Sequence, residues 1–349
     1  MNSTIALIIS VIIAFGVTAG LGFVIIPWLR KLKFGQTILD IGPSWHKSKQ
    51  GTPNMGGIMF IIGIVLSFGI TALIYYLSGG ELESDYSSIM NGRELVLLFG
   101  GLVLALGCGL VGFIDDFTKI KLKRNEGLSP KQKTLGQLIV TLGYITTLWV
   151  SHNTSWYIPF IGTVNFEKNI FTAIVFWILS LFIIYGCVNS VNLTDGIDGL
   201  CSSVTTTVAI AFIVISYIQG FAGLNIFAGA LLGGVLGFLC WNWNPAKTFM
   251  GDTGSLFLGG LVCAIAFAVD MPILLLPIGI VYLCEMFSVI LQVSYFKATH
   301  GKRLFKMSPI HHHFEMCGWS EVKIVSVFSI VTAIFGVISA LIVYFGVVA

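Results

Sequence analysis

Along the whole chain, stretches of roughly twenty residues recur with almost no charged side chain, the length of helix that crosses a hydrocarbon core about 30 Å thick. Cutting at the polar clusters leaves ten of them, at about 3–29, 54–78, 93–114, 134–151, 168–187, 199–218, 225–241, 253–269, 273–297 and 322–346. No polar segment between them is long enough to fold apart, so residues 1–349 are predicted to form one all-α polytopic membrane domain. Composition removes the soluble alternative: 56% of the residues are hydrophobic and 10% charged, more apolar surface than a single water-soluble core can bury. The formal net charge of +3 is too small to point to a nucleic-acid partner. Of the seven cysteines, six lie in apolar runs and Cys317 in a polar loop, with no Cys-x-x-Cys pair. They read as small apolar side chains, neither disulfides nor metal ligands. The first apolar run has no basic flank ahead of it and no small-residue cleavage site, and is expected to be a span, not a removed leader.

An even number of spans puts both termini on one side and divides the connections into two sets. One set, residues 30–53, 115–133, 188–198, 242–252 and 297–321, holds sixteen Lys and Arg, while the other holds Arg93 and Lys168. The excess of basic residues on cytoplasmic loops then makes the rich set cytoplasmic and both termini external. On the outer side, residues 156–166 alternate about Gly162 and are expected to form a small hairpin at headgroup level, where Trp and Tyr are favoured.

All the polar clusters of unusual composition fall in the basic set, so five connections are expected to converge on one cytoplasmic face. Residues 47–57 carry Lys47, Lys49 and Thr52 beside Gly51, Gly56 and Gly57. They offer ammonium and backbone N–H groups to an anion, or serve only as a basic flank. Asp115 and Asp116 are predicted at the C-terminal end of the third span, where the helix dipole opposes them. Mg²⁺ would offset that charge, since it takes one or two carboxylates together with substrate phosphate oxygens; the lysines downstream are the alternative. In residues 189–199, Asp195 and Asp198 share a face if the sixth helix has begun. With Asn189 and Asn192 they exceed what a helix cap requires and suit the edges of a sugar or nucleobase. Residues 242–255 place Asp252 between Gly251 and Gly254, and Phe249 offers a face on which a planar ligand can stack. Asp252 alone would also serve as a helix cap. His311, His312 and His313 are consecutive and point in different directions, so they do not make a zinc site. Two of them can reach a phosphate or sugar while the third bonds backbone. Glu285 and Gln292 lie on the ninth span, and an ionisable group there is a functional-site candidate or a partner within the bundle.

With these residues in view, the chain resembles the polyprenyl-phosphate N-acetylhexosamine-1-phosphate transferases over essentially its whole length. The family's paired aspartates match Asp115 and Asp116, its Asn-x-x-Asp-Gly-x-Asp-Gly segment matches residues 192–199, and its Gly-Asp segment matches Gly251 and Asp252. The Pro-Ile-His-His-His-Phe-Glu run at residues 309–315 is similar to that of the family's muramoyl-pentapeptide branch. The resemblance implies a Mg²⁺-dependent transfer of phospho-MurNAc-pentapeptide from UDP-MurNAc-pentapeptide to undecaprenyl phosphate, with release of UMP, in a bacterial plasma membrane. It also implies a homodimer in contact with membrane lipid. By position, Asp252 matches the metal-contacting aspartate, with Asp115 and Asp116 completing the catalytic and metal-binding set and His311 beside it. Lys47, Thr52, Lys121, Asn192, Asp195, Asp198, Asn242, Phe249, Gln292, His311 and His312 match the family's nucleotide-sugar or nucleoside-inhibitor contacts, Lys133 matches a lysine at the cleft, and His313 completes the substrate-facing run.

Two rival readings have distinct signatures. A sister transferase acting on UDP-GlcNAc would share the aspartates but lack the His run and the segment at residues 47–57. An ion-coupled transporter would gather its ionisable residues near the bilayer midplane instead of at one surface, and Glu285 is the residue that favours it.

Overall fold

The computed structural model describes residues 1–31, 49–82, 93–122 and 126–348, and is almost entirely helical. Its helices are α1 (Ser3–Lys31), α2 (Gly57–Leu77), α3 (Arg93–Leu122), α4 (Pro130–Val150), α5 (Ile170–Thr194), α6 (Leu200–Ile218), α7 (Ala222–Asn242), α8 (Gly251–Ala268), the short α9 (Leu275–Ile278), α10 (Ile280–Ala298), the short α11 (Ile310–Glu315) and α12 (Glu321–Val343). Among the described residues nine helices are long and apolar enough to cross a membrane. The fourth stretch of the sequence reading, 134–151, is the one not among the nine: it lies in α4, which has 21 residues but carries Lys131, Gln132 and Lys133 at its start and Gln137 further on, which lowers its apolarity. It still runs the depth of the bundle: Lys133 near its start bonds Asp252, and Asn153 just past its end receives a hydrogen bond from Arg93 at the start of α3.

The core is built around α8, whose residues 253–268 are all buried. A helix apolar on every side is stable only when other helices enclose it. Small residues bring α3 against α8, with Ala105 behind Gly260 and Ala264 behind Gly101, the close approach through which helices in lipid gain dispersion contact. Phe60 of α2 joins α7 and α8, with ring centroids 5.1 Å from Phe238 and 6.2 Å from Phe257.

One end of the bundle gathers the ends of α3, α5 and α7 with the starts of α2, α4 and α8. The other end carries both termini: the Met1 ammonium donates to Ser78 O at 3.4 Å beyond α2, and the Tyr157 hydroxyl donates to Gly346 O. The expected hairpin is there too, as β1 (Ser155–Ile158) and β2 (Gly162–Asn165), antiparallel with Ser155 opposite Asn165. It buries Trp156 against Phe166, Phe176 and Phe267 at centroid distances of 4.9, 5.8 and 5.9 Å.

Three expected boundaries differ from the structure, each near the site. Helix α3 continues to Leu122, so Asp115 and Asp116 lie inside it and not at its end. Lys119, one turn on, supplies the positive charge that lets the helix continue. Helix α5 reaches Thr194 and α6 starts only at Leu200, so Asp195 and Asp198 lie between helices and not on the sixth. Gly199 takes a left-handed backbone (φ 74°) that ends the connection, a conformation glycine adopts without steric cost. The ninth span is broken into a 3₁₀ turn at Pro272–Leu274, then α9 and α10. Pro277, which lacks an N–H and crowds the preceding turn, accounts for the break.

Candidate active site

Asp115 and Asp116 come from α3, and Asp252 from the first turn of α8. Each offers a carboxylate oxygen within 4.8 Å of the other two, a spacing at which one metal ion is reached by all three. Their positions follow from the helix contact. The Asp116 Oδ2 atom accepts the Thr253 N–H at 2.9 Å and the Thr253 hydroxyl at 2.8 Å, which caps α8 with a negative charge where its dipole is positive. Asp115 Oδ1 accepts the Leu128 N–H at 2.8 Å, tying the connection ahead of α4 to α3.

Two lysines and two amides complete the cluster. Lys119 Nζ is 2.6 Å from Asp115 Oδ2, 3.0 Å from Asp252 Oδ2 and 3.6 Å from Asp116 Oδ1. Lys133 Nζ lies 3.0 Å from the same Asp252 oxygen. Asn192 Nδ2 donates to Asp252 Oδ1 and to Ser255 Oγ, both at 2.8 Å, and Asn54 Nδ2 donates to Asp116 Oδ1 at 3.3 Å. Hard oxygen donors clustered this way suit a hard cation such as Mg²⁺.

The other predicted residues fall around this centre. Asp195, closing α5, is pushed up to about 8 by its loss of hydration and then by the nearby Asp252, Asp116 and Asp198 carboxylates. Both effects disfavour its charged form. Asp198 is tied up within the protein: Lys49 Nζ sits 2.7 Å from one oxygen, and the Ala246 N–H and Asn244 amide donate to the other at 2.9 and 3.3 Å. Asn242 is likewise turned inward, donating to Thr248 O at 3.0 Å and accepting from Ser202 Oγ at 3.1 Å. Phe249 is half-buried, its N–H bonded to Pro53 O at 2.8 Å, so the segment at residues 49–57 is laid against the start of α8. Thr52 lies in a turn, its N–H 3.1 Å from Lys49 O. Lys121 is exposed in the last turn of α3. Lys47 lies outside the described residues.

The three histidines have three different partners, as their spacing required. His311 Nδ1 meets the fully buried Glu285 Oε2 at 2.9 Å, His312 Nδ1 meets Glu315 Oε2 at 2.6 Å, and His313 Nδ1 accepts the Lys306 N–H at 3.1 Å. His311 Nε2 points at the backbone of Gly196, where a Cβ would overlap it. The loop at residues 195–199 thus rests on the His run. Gln292 folds the same region, accepting the Leu304 and Phe305 N–H groups at 3.0 and 2.8 Å. We expect Glu285→Leu, which strands the buried His311 ring N–H, to cost about 1–3 kcal/mol. Thermal unfolding in detergent reads the loss, and Glu285→Gln, which still presents an acceptor, should recover most of it.

Asn54, Lys119, Thr253 and Glu321 take part in these contacts without having been assigned a site role from the sequence, whereas Lys49, expected to meet an anion, pairs with Asp198 and Glu321. Lys119 had a signal, standing three and four residues from the aspartate pair, but it was assigned to a loop. Glu321, at 2.6 Å from Lys49 Nζ, had none, because the two are brought together only by the tertiary fold.

Residues 98–270 match glycosyl transferase family 4, which covers the three aspartates. The chain is 45% identical to a phospho-N-acetylmuramoyl-pentapeptide-transferase of Desulforamulus reducens over 94% of its length and 93% of the relative's. It is 44% identical to the enzyme of that name from Carboxydothermus hydrogenoformans, over 95% and 96% of the two chains. A Clostridium perfringens relative of the same name is 45% identical over 94% and 96%.

Proposed function

The chain belongs to the phospho-N-acetylmuramoyl-pentapeptide-transferases of glycosyl transferase family 4, and from that premise we propose how its acidic cluster works. The enzyme transfers phospho-MurNAc-pentapeptide from its UDP carrier to undecaprenyl phosphate, giving lipid I and UMP in peptidoglycan synthesis. One observation carries the site assignment: the adjacent Asp115 and Asp116 on α3 and Asp252, far along the chain on α8, meet within 4.8 Å at the basic end of a membrane bundle. Lys31, Lys49, Lys119, Lys121, Lys133, Lys247, Lys297 and Arg303 belong to that end, which we assign to the cytoplasm. A water-soluble nucleotide donor and a lipid phosphate can meet there.

A magnesium ion held by Asp115, Asp116 and Asp252 would supply positive charge to the donor diphosphate. The protein's own groups bind and orient. Lys133 and Lys119 screen phosphate oxygens, and Asn192 fixes the Asp252 carboxylate. An oxygen of the polyprenyl phosphate attacks the sugar-linked phosphorus; a new phosphorus–oxygen bond forms and the bond to the UMP oxygen breaks. The attacking phosphate is already anionic at pH 7, so no strong base is needed. A two-step route would leave a phosphorylated aspartate when UDP-sugar is supplied without lipid acceptor, and recovering one would overturn direct attack.

The test is to combine purified protein, UDP-MurNAc-pentapeptide, a polyprenyl phosphate and Mg²⁺ and to measure UMP with and without EDTA. UMP that depends on both lipid and metal is expected; none under any condition would end the proposal, and UDP-GlcNAc in place of the donor would expose a sister specificity. Lys133→Ala should raise KM for the donor by about tenfold, the loss of one charge-assisted contact, and unchanged kinetics would remove Lys133 from the site. Glu285 lends no support to transport, since its carboxylate is committed to a buried partner, His311 Nδ1, within the bundle.

A further inference from the structure

Lys119 is the one lysine that reaches all three aspartates among the described residues. Its Nζ stands 2.6 Å from Asp115 Oδ2, 3.0 Å from Asp252 Oδ2 and 3.6 Å from Asp116 Oδ1. An ammonium has three N–H donors, and three carboxylates surround this one. Those are the same carboxylates whose oxygens lie close enough together for one metal ion. A divalent ion and an ammonium cannot share that space, because both need the same lone pairs and they repel each other. Mg²⁺ also holds its oxygens at about 2.0–2.1 Å, closer than the ammonium does, so loading it means drawing the carboxylates inward around an ion and not adding one beside Nζ.

The surroundings allow the exchange. The Lys119 side chain is 29% exposed, so the ammonium has a way out, and its flexible four-carbon stem lets it swing without moving α3. Asp252 keeps Lys133 at 3.0 Å and Asn192 at 2.8 Å, and Asp116 keeps its two bonds from Thr253, so the cluster retains other support when Nζ departs.

We propose that Lys119 is a built-in counter-ion that occupies the metal position in the metal-free protein, and that the divalent cation loads by displacing it. The inference rests on the metal reading of the site and goes beyond it. Without the lysine, three carboxylates would face one another unscreened; with it, they stay assembled in the absence of metal. Metal affinity is correspondingly lowered, since the apparent Kd is the intrinsic one divided by the fraction of molecules whose site is free. The released ammonium remains tethered beside the cluster and can meet an incoming diphosphate, so metal and nucleotide should strengthen each other's binding.

The test uses the full chain in detergent with MgCl₂ and no substrate, so that its outcome is separate from the UMP assay. Lys119→Met should melt at a lower temperature than wild type in EDTA, yet bind Mg²⁺ by calorimetry about tenfold or more tightly, the gain expected if Nζ holds nine sites in ten. Lys119→Arg, which keeps the charge, should show no such gain. Equal or weaker Mg²⁺ binding in Lys119→Met, an equal gain in both variants, or no Mg²⁺ binding in any form would overturn the proposal. Wild-type protein gives an independent reading if Lys119→Met does not fold. Acetylation of Lys119 by an amine-reactive ester, measured by mass spectrometry against Lys121 on the same helix, should rise when Mg²⁺ replaces EDTA. A constant or falling ratio would overturn it.

Discussion

Asp252→Asn and Asp116→Asn should each lower turnover by about 10³-fold or more while the helical bundle stays assembled, the scale of losing a charge that offsets the transition state. Asparagine has nearly the same shape as aspartate, so what each variant removes is the negative charge. At position 116 the hydrogen bonds can be rebuilt. The new amide oxygen can still accept from the Thr253 N–H and hydroxyl, which now donate at 2.9 and 2.8 Å. Its amide nitrogen would face Asn54, whose Oδ1 is buried without a partner and becomes the acceptor if that amide turns over. At position 252 the change leaves Lys119 and Lys133, each 3.0 Å away, facing a neutral group. Size-exclusion profiles and thermal unfolding would establish that each variant is folded, and initial rates of UMP release would report activity. Wild-type rates in either folded variant would undo the assignment of the site.

The second large effect comes from a residue with no functional group. A Cβ at Gly112 would overlap the carbonyl of Asp252 and stand 2.6 Å from the Thr253 nitrogen. Both are backbone atoms of the first turn of α8, so no side chain can swing aside. Gly112→Ala must therefore push α3 away from α8, at a cost of about 3 kcal/mol, the upper part of the usual range for overpacking. The same displacement separates Asp115 and Asp116 on α3 from Asp252 on α8, and a misplacement of about 1 Å can cost 10²-fold in rate. Gly100→Ala is the control, since its Cβ would first meet Thr147 Cγ2 at an ordinary 3.6 Å. We expect Gly112→Ala to unfold at lower temperature and to lose turnover even where it is fully folded, with Gly100→Ala near wild type. Equal behaviour of the two would refute the link between helix approach and catalysis.

Much of this architecture was legible from composition and spacing because lipid allows few solutions. A chain must satisfy its backbone internally, so long uncharged runs become helices, and the alternating residues about Gly162 do form the β1–β2 hairpin. The aspartates stood out for a related reason, as carboxylates placed where apolar helices end. The ends themselves were misjudged because charge density was read as a break. Helix α3 carries Asp115, Asp116 and Lys119 without breaking, since residues three and four apart on a helix neutralise one another; of the downstream lysines offered as counter-charge, only a continued helix picks out Lys119. The inward turn of Asn242 and the clamp of Gln292 on residues 304–305 depend on which way a side chain faces, which periodicity does not encode for an isolated polar residue. The Lys49, Asp198 and Glu321 knot joins segments more than a hundred residues apart, beyond the reach of any local pattern.

Helix α8 touches neighbours on every side from residue 253 to 268, and Asp252 sits at its tip. Any change of bulk along those sixteen positions is transmitted lengthwise to a carboxylate that has little tolerance for movement. An evolving lineage should therefore vary freely on the outward faces of α1, α5 and α12, where Ile12, Phe23, Phe182 and Val337 are exposed, and hold α8 nearly still. Sequence change would accumulate at the periphery, with this inner helix behaving as the slowest clock in the molecule.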